Sequence, residues 1–159
     1  MSDTSPADEP VPGTLSFDLH ALTARLDRAA DRILRAAHGI TYRRFRTLLS
    51  VQLLTEAGAT AVTQRAVADE VGISEPSASR MVAVLADAGL LDVRQDPGSG
   101  NRRRIQLTPP GRAVVEQGQE LLEERFADLV RRSGVSYAQY ARSTRGLLDA
   151  LGAGGPDRG

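Results

Sequence analysis

Gly72-Ile73-Ser74 is the tightest constraint in this sequence, because it stops one amphipathic segment and starts another with nothing between. Upstream, Thr63 has the side-chain oxygen a helix N-cap needs, with Val62 before it and Val67 at staple distance. Val67, Ala68 and Val71 recur at helical spacing and give this short helix one buried stripe. Gly72 permits the left-handed backbone that ends it, Ile73 tucks into the core, and Ser74 is a fresh N-cap. Two helices joined by so short a Gly-containing turn form a helix-turn-helix.

The second helix, about Ser74 to Ala88, sorts its residues by face. Ala78, Met81, Val82 and Leu85 form the inner stripe, leaving Ser77, Ser79, Arg80 and Ala83 outside. Short hydroxyl side chains suit a helix pressed into a groove, and one arginine can bridge guanine O6 and N7. Serines and one arginine on a solvated face are equally the ordinary composition of any helix. The next residues shift that balance. Gly89 ends the helix, Leu91 to Arg94 alternates as a half-buried strand, and Asp96 to Asn101 is dense in turn formers. Arg102-Arg103-Arg104-Ile105-Gln106-Leu107 returns as a second strand, so a β-hairpin follows the helix with three arginines at or near its tip. Adjacent cations repel one another unless a polyanion neutralises them. Strand alternation expects Arg103 to share the inner face of Ile105 and Leu107, with Arg102 and Arg104 outward, but near a hairpin tip alternation relaxes and leaves Arg103 free to swing forward to the groove.

This segment resembles the winged helix-turn-helix of the multiple-antibiotic-resistance regulator (MarR) family of bacterial transcription factors. The matching residues are Thr63-Gln64, Ala68, Gly72-Ile73-Ser74, Ser77, Ser79-Arg80, Leu85, Gly89-Leu90, Arg94, Asp96-Pro97, the Arg102 to Arg104 run, Leu107-Thr108 and Gly111. The likeness extends upstream to Gly39 through Phe45, and so covers most of residues 15 to 151. One departure is at the wing tip, where the family usually shows Asp-Arg-Arg; here Asn101 precedes the arginines and the wing is shorter. The resemblance implies DNA contact by Thr63, Gln64, Arg65, Ser74, Ser77, Ser79, Arg80, Arg94, Arg102, Arg103 and Arg104. It also implies a repressor released by a small-molecule effector, with His38, Tyr42, Arg43 and Phe45 as the candidate lining of the effector cleft. Each of those four has an ordinary reading: Tyr42 and Phe45 as core, Arg43 as a surface cation, His38 favouring a helix C-terminus.

The flanks are helical. Leu15, Leu19, Leu22, Leu26, Ala29 and Ile33 step by fours and threes, predicting a long amphipathic helix to about Ala37, which Gly39 stops. Thr41 starts the next helix, with Phe45, Leu48, Leu49, Val51 and Leu53 apolar. Thr108-Pro109-Pro110 is a helix-start signal, and a long helix follows until Ser133-Gly134 breaks it. A last helix spans Ser136 to Leu151. The resemblance implies that the terminal helices make a homodimer, through Leu15, Leu19, Leu22, Leu26, Ile33, Leu147, Leu148 and Leu151. Such a pair would set two reading heads roughly 34 Å apart on a pseudo-palindromic operator. The expected fold is therefore mainly α, with a small β contribution from the wing: a winged helix-turn-helix with flanking long dimerisation helices. Residues 1–13 read as a disordered tail, 14–39 as the N-terminal dimerisation helix and 40–108 as the DNA-binding region. Residues 109–151 read as the C-terminal dimerisation helices, and 152–159 as a second disordered tail.

Composition narrows the alternatives. The formal net charge is zero, but the charges are unevenly placed: residues 1 to 20 carry four acids and no arginine, while seven arginines lie between Arg25 and Arg46. Every basic residue is arginine, a bias that carries no mechanism. Absence of cysteine excludes disulfides and thiolate metal sites, and absence of tryptophan excludes an indole stacked on an effector. No apolar run approaches a membrane span and no signal segment opens the chain, so a cytoplasmic location without membrane contact is expected. His20 and His38 lie near no nucleophile elbow, phosphate loop or carboxylate constellation, and neither catalysis nor a cofactor or metal is expected. The expected partners are double-stranded operator DNA, a second copy of the chain and a small-molecule effector. A competing reading is a winged helix that binds only protein. Val84, Glu75 and Asp87 are mild marks in its favour, since none suits a phosphate.

Overall fold

The computed structural model describes residues 13–98, 100 and 103–153. The element order is α1 (Leu15–His38), α2 (Tyr42–Glu56), α3 (Gln64–Val71), α4 (Glu75–Asp87), β1 (Leu91–Gln95), β2 (Arg103–Leu107), α5 (Pro109–Ser133) and α6 (Tyr137–Ala153). Each helix lies within a few residues of where the spacing of apolar positions puts it. Most of the tails predicted at residues 1–13 and 152–159 lies outside the described residues, as does Arg102, but Gly152 and Ala153 continue α6 rather than starting a tail. The chain divides into two compact units, residues 1–43 and 44–159.

The first unit is α1 and the turn after it. Gly39 takes the left-handed conformation (φ 66°) and donates its N–H to Arg35 O, closing the helix as the sequence predicts. Ala30, Leu34 and Ile40 are buried. The N-terminal part of the predicted seam is not: Leu15 is 71% exposed, and Phe17, Leu19 and Leu22 are exposed with it. Leu26 and Ile33 are half-buried. Asp31 ties the turn together. Its Oδ2 accepts from Arg35 Nε at 2.6 Å and its Oδ1 from the Tyr42 backbone N–H at 2.9 Å, satisfying one of the unpaired amides at the start of α2.

The second unit holds most of the core. Phe45, Leu48 and Val51 of α2 are buried, and α5 crosses close to them because it carries glycine where contact is tightest. A Cβ on Gly118 would stand 2.4 Å from Phe45 Cε2, and one on Gly111 would stand 2.1 Å from the backbone oxygen of Leu90. Strands β1 and β2 pair antiparallel with Val93 opposite Ile105 and Arg94 opposite Arg104. The Ile105 N–H, free on the other edge of β2, donates to Val62 O at 2.9 Å, so the hairpin is bonded to the residue that leads into α3. Thr108 caps α5 by accepting from the Gly111 N–H, and its hydroxyl donates to Gly89 O at 2.7 Å. At the far end Gly134 closes α5, and Phe126 meets Tyr137 and Tyr140 of α6 edge-on or tilted. Beyond those rings α6 leaves Leu147, Leu148 and Leu151 exposed.

Two outcomes follow from these contacts. Gly111→Ala gains helix propensity of about 1 kcal/mol, but its methyl meets a backbone oxygen that cannot swing aside. It should lower stability by about 1–3 kcal/mol net, read as a lower urea midpoint at unchanged slope; a neutral or stabilising result would contradict the close approach. The second concerns pH. The Arg35 hydrogen bond, and then the Tyr42 amide, hold the Asp31 carboxyl below the usual carboxylate range. A depressed folded pKa contributes stability above the unfolded pKa, and that contribution drains away as pH falls through the folded value. Asp31→Asn should therefore melt below the parent at neutral pH, and the gap should close below about pH 4. A gap that does not change with pH would show that the charge of Asp31 contributes nothing.

Candidate nucleic-acid interface

The helix-turn-helix is built from the two caps the sequence announces. Thr63 Oγ1 accepts from the Ala66 N–H at 3.2 Å, and Ser74 Oγ accepts from the Ser77 N–H at 3.4 Å. Gly72 (φ 73°) closes α3 between them. Val67, Ala68, Ala78, Val82 and Leu85 are buried along the seam between the helices, and Met81 is half-buried. Arg46 of α2 braces the turn from outside, donating from Nη2 to Val71 O at 3.4 Å. That brace lies outside the motif, and no local spacing announces it.

Arg80 and Ala83 are exposed on α4, Ser77 and Ser79 half-buried, and Val84 40% exposed. Ser74, Ser77 and Arg80 form a chain of hydrogen bonds. The Ser74 hydroxyl donates to Ser77 Oγ at 2.9 Å, and Arg80 Nη2 donates to the same oxygen at 3.3 Å. On α3, Arg65 is exposed and Gln64 half-buried, while the oxygen of Thr63 is committed to its cap.

The wing corrects the simple alternation. Arg103 is exposed rather than turned inward, because it pairs with Gln95 at the end of the ladder, past the last covered position at Ile105. Arg104, expected outward, is half-buried, and its Nε is shielded without a hydrogen-bond partner. Arg94 is exposed, with its Nε held by Asp92 at 2.7 Å. Val93, Arg94, Gln95 and Arg103 line an open recess on the hairpin. So exposed guanidinium groups stand on α3, α4 and both wing strands, within one compact unit.

The candidate effector residues are placed differently from one another. Phe45 is fully buried with its ring against Gly118, so here it is core. His38 lies half-buried in the last turn of α1, Tyr42 is half-buried and Arg43 exposed. No group of three or more His, Asp or Glu able to hold a metal ion occurs among the described residues. No helix among them is long and apolar enough to cross a membrane.

Fold and site together define a winged helix-turn-helix protein. The sequence model of the MarR family matches residues 38–100, the stretch that runs from the end of α1 into the hairpin. Among solved structures, the Staphylococcus aureus MepR–DNA complex is similar at 22% identity and TM-score 0.70, covering 89% of this chain and 98% of MepR. Mycobacterium tuberculosis MOSR in complex with DNA is similar at 25% identity and TM-score 0.63, covering 87% and 96%. Apo wild-type MarR from Escherichia coli is similar at 20% identity and TM-score 0.68, covering 90% and 99%. No curated protein matches the chain in sequence.

Proposed function

We propose that this protein is a transcriptional regulator that binds double-stranded DNA in a sequence-specific way, with α4 in the major groove and the wing on the flanking backbone or minor groove. The observation that carries it is the joining of a capped α4, displaying Arg80 among small side chains, to a hairpin whose exposed arginines have no structural task in the core. Two of the similar solved structures are DNA complexes, which supports the same reading. Repression, relieved by a small-molecule effector, is the proposed mode, and the cytoplasm, where a bacterial chromosome lies, is the corresponding location.

The proposed working unit is a homodimer. Its support is the apolar surface left open on both terminal regions: Leu15, Leu19 and Leu22 on α1, and Leu147, Leu148 and Leu151 (77% exposed) on α6. Exposed apolar side chains concentrated on two helices mark a surface that is covered in use. One observation favours the protein-binding alternative, namely the exposed Val84 on the outer side of α4.

Light scattering at micromolar concentration should give twice the mass of one chain, and Leu22→Arg should shift the protein toward monomer by burying an unpaired charge. A monomer at that concentration would remove the two-headed unit. For the wing, replacing Arg102, Arg103 and Arg104 together by alanine should flatten the dependence of log affinity on log salt by roughly two, since each neutralised phosphate contributes about 0.9. Specific and non-specific binding should weaken together. A triple variant that keeps affinity and slope would move the protein-binding alternative ahead.

A further inference from the structure

We infer that Ser77 is a positioning residue that sets the conformation of Arg80 and so governs guanine selectivity without itself reading a base; this rests on the DNA-binding function proposed above. Ser77 Oγ accepts two hydrogen bonds, one from the Ser74 hydroxyl at 2.9 Å and one from Arg80 Nη2 at 3.3 Å. Both lone pairs of that oxygen are therefore engaged within the helix. Ser74 is in turn fixed, because its own oxygen caps α4 through the Ser77 N–H. The result is a short chain of hydroxyls anchored at the helix N-terminus with the guanidinium at its end.

The direction of that chain matters. Side chains on a helix lean toward its N-terminus, and the bond to Ser77 draws the Arg80 head one turn further that way. In helix-turn-helix proteins the N-terminal part of the second helix meets the base edges. Arg80 starts near the middle of α4, and this chain brings its fork to the end where guanine O6 and N7 would be met. One Nη2 hydrogen is used, and four N–H donors remain for a bidentate contact. An arginine already held in one rotamer loses less freedom on docking, so the gain appears only where the fork finds a guanine.

The test uses the full chain and the duplex it binds most tightly from a random pool, with each guanine replaced in turn by 7-deazaguanine, which lacks the N7 acceptor. The parent should lose affinity at one guanine per half-site, and Arg80→Ala should abolish that sensitivity. Ser77→Ala keeps the backbone N–H that Ser74 caps, so α4 stays formed and the thermal midpoint should be little changed. It should nonetheless reduce the sensitivity about fivefold, the scale of one typical net hydrogen bond. Ser77→Thr restores the hydroxyl and should recover most of it, with the salt slope the same in all four proteins. Sensitivity in Ser77→Ala equal to the parent, or failure of Ser77→Thr to rescue, would overturn the positioning role. A parent insensitive at every guanine would overturn it too, by removing the Arg80 contact. A pool with no preferred duplex is a different result, because then DNA reading itself has failed.

Discussion

One backbone hydrogen bond, Ile105 N–H to Val62 O at 2.9 Å, holds the functional part of this molecule together. A two-stranded hairpin on its own is marginal in water. Here the second strand finds a partner on its outer edge, at the residue just before the Thr63 cap, and both Ile105 and Val62 are buried. The wing is thereby bonded to the start of α3, and Thr108 repeats the tie from the other side through Gly89 and Leu90. The helix-turn-helix and the hairpin cannot be displaced independently without breaking bonds in the core. The place of the wing beside the helix-turn-helix rests on that bond together with the turn from α4 into β1, where the Leu90 N–H donates to Leu85 O.

Legibility in the sequence follows the range of the interaction. Thr63, Ser74 and Thr108 cap helices through amides three residues on, and Gly39, Gly72 and Gly134 end them by a local backbone conformation. Such features are written in neighbouring letters. Gly111 and Gly118 are not, since the atoms that exclude a side chain there belong to Leu90 and Phe45, far away in the chain. The same holds for Asp31, whose partner Tyr42 lies across a turn, and for Val62. Alternation misplaces Arg103 and Arg104 for a third reason: the rule presumes a covered face, and the cover runs out at Ile105. The Ser74, Ser77 and Arg80 spacing is visible in the sequence, but its direction depends on rotamers that letters do not fix.

The charge distribution reconciles a neutral chain with the proposed polyanionic partner. Acids gather on the exposed face of α5, at Glu116, Glu120, Glu123 and Glu124, away from the wing arginines in sequence. Several arginines away from the wing are committed within the chain: Arg35 to Asp31, and Arg131 and Arg132 to Asp128. These are exposed pairs of small individual worth. What remains for a phosphate is local, so the zero sum says little about the binding surface.

The capped α4 and its bonded wing are proposed to read duplex DNA in pairs. Selection of the full chain on a pool of random duplexes tests this most directly. The account predicts enrichment of an inverted repeat whose half-sites lie about one helical turn apart, roughly 10 base pairs centre to centre. A pool that stays unenriched after repeated rounds would contradict it, as would enrichment of a single unrepeated half-site.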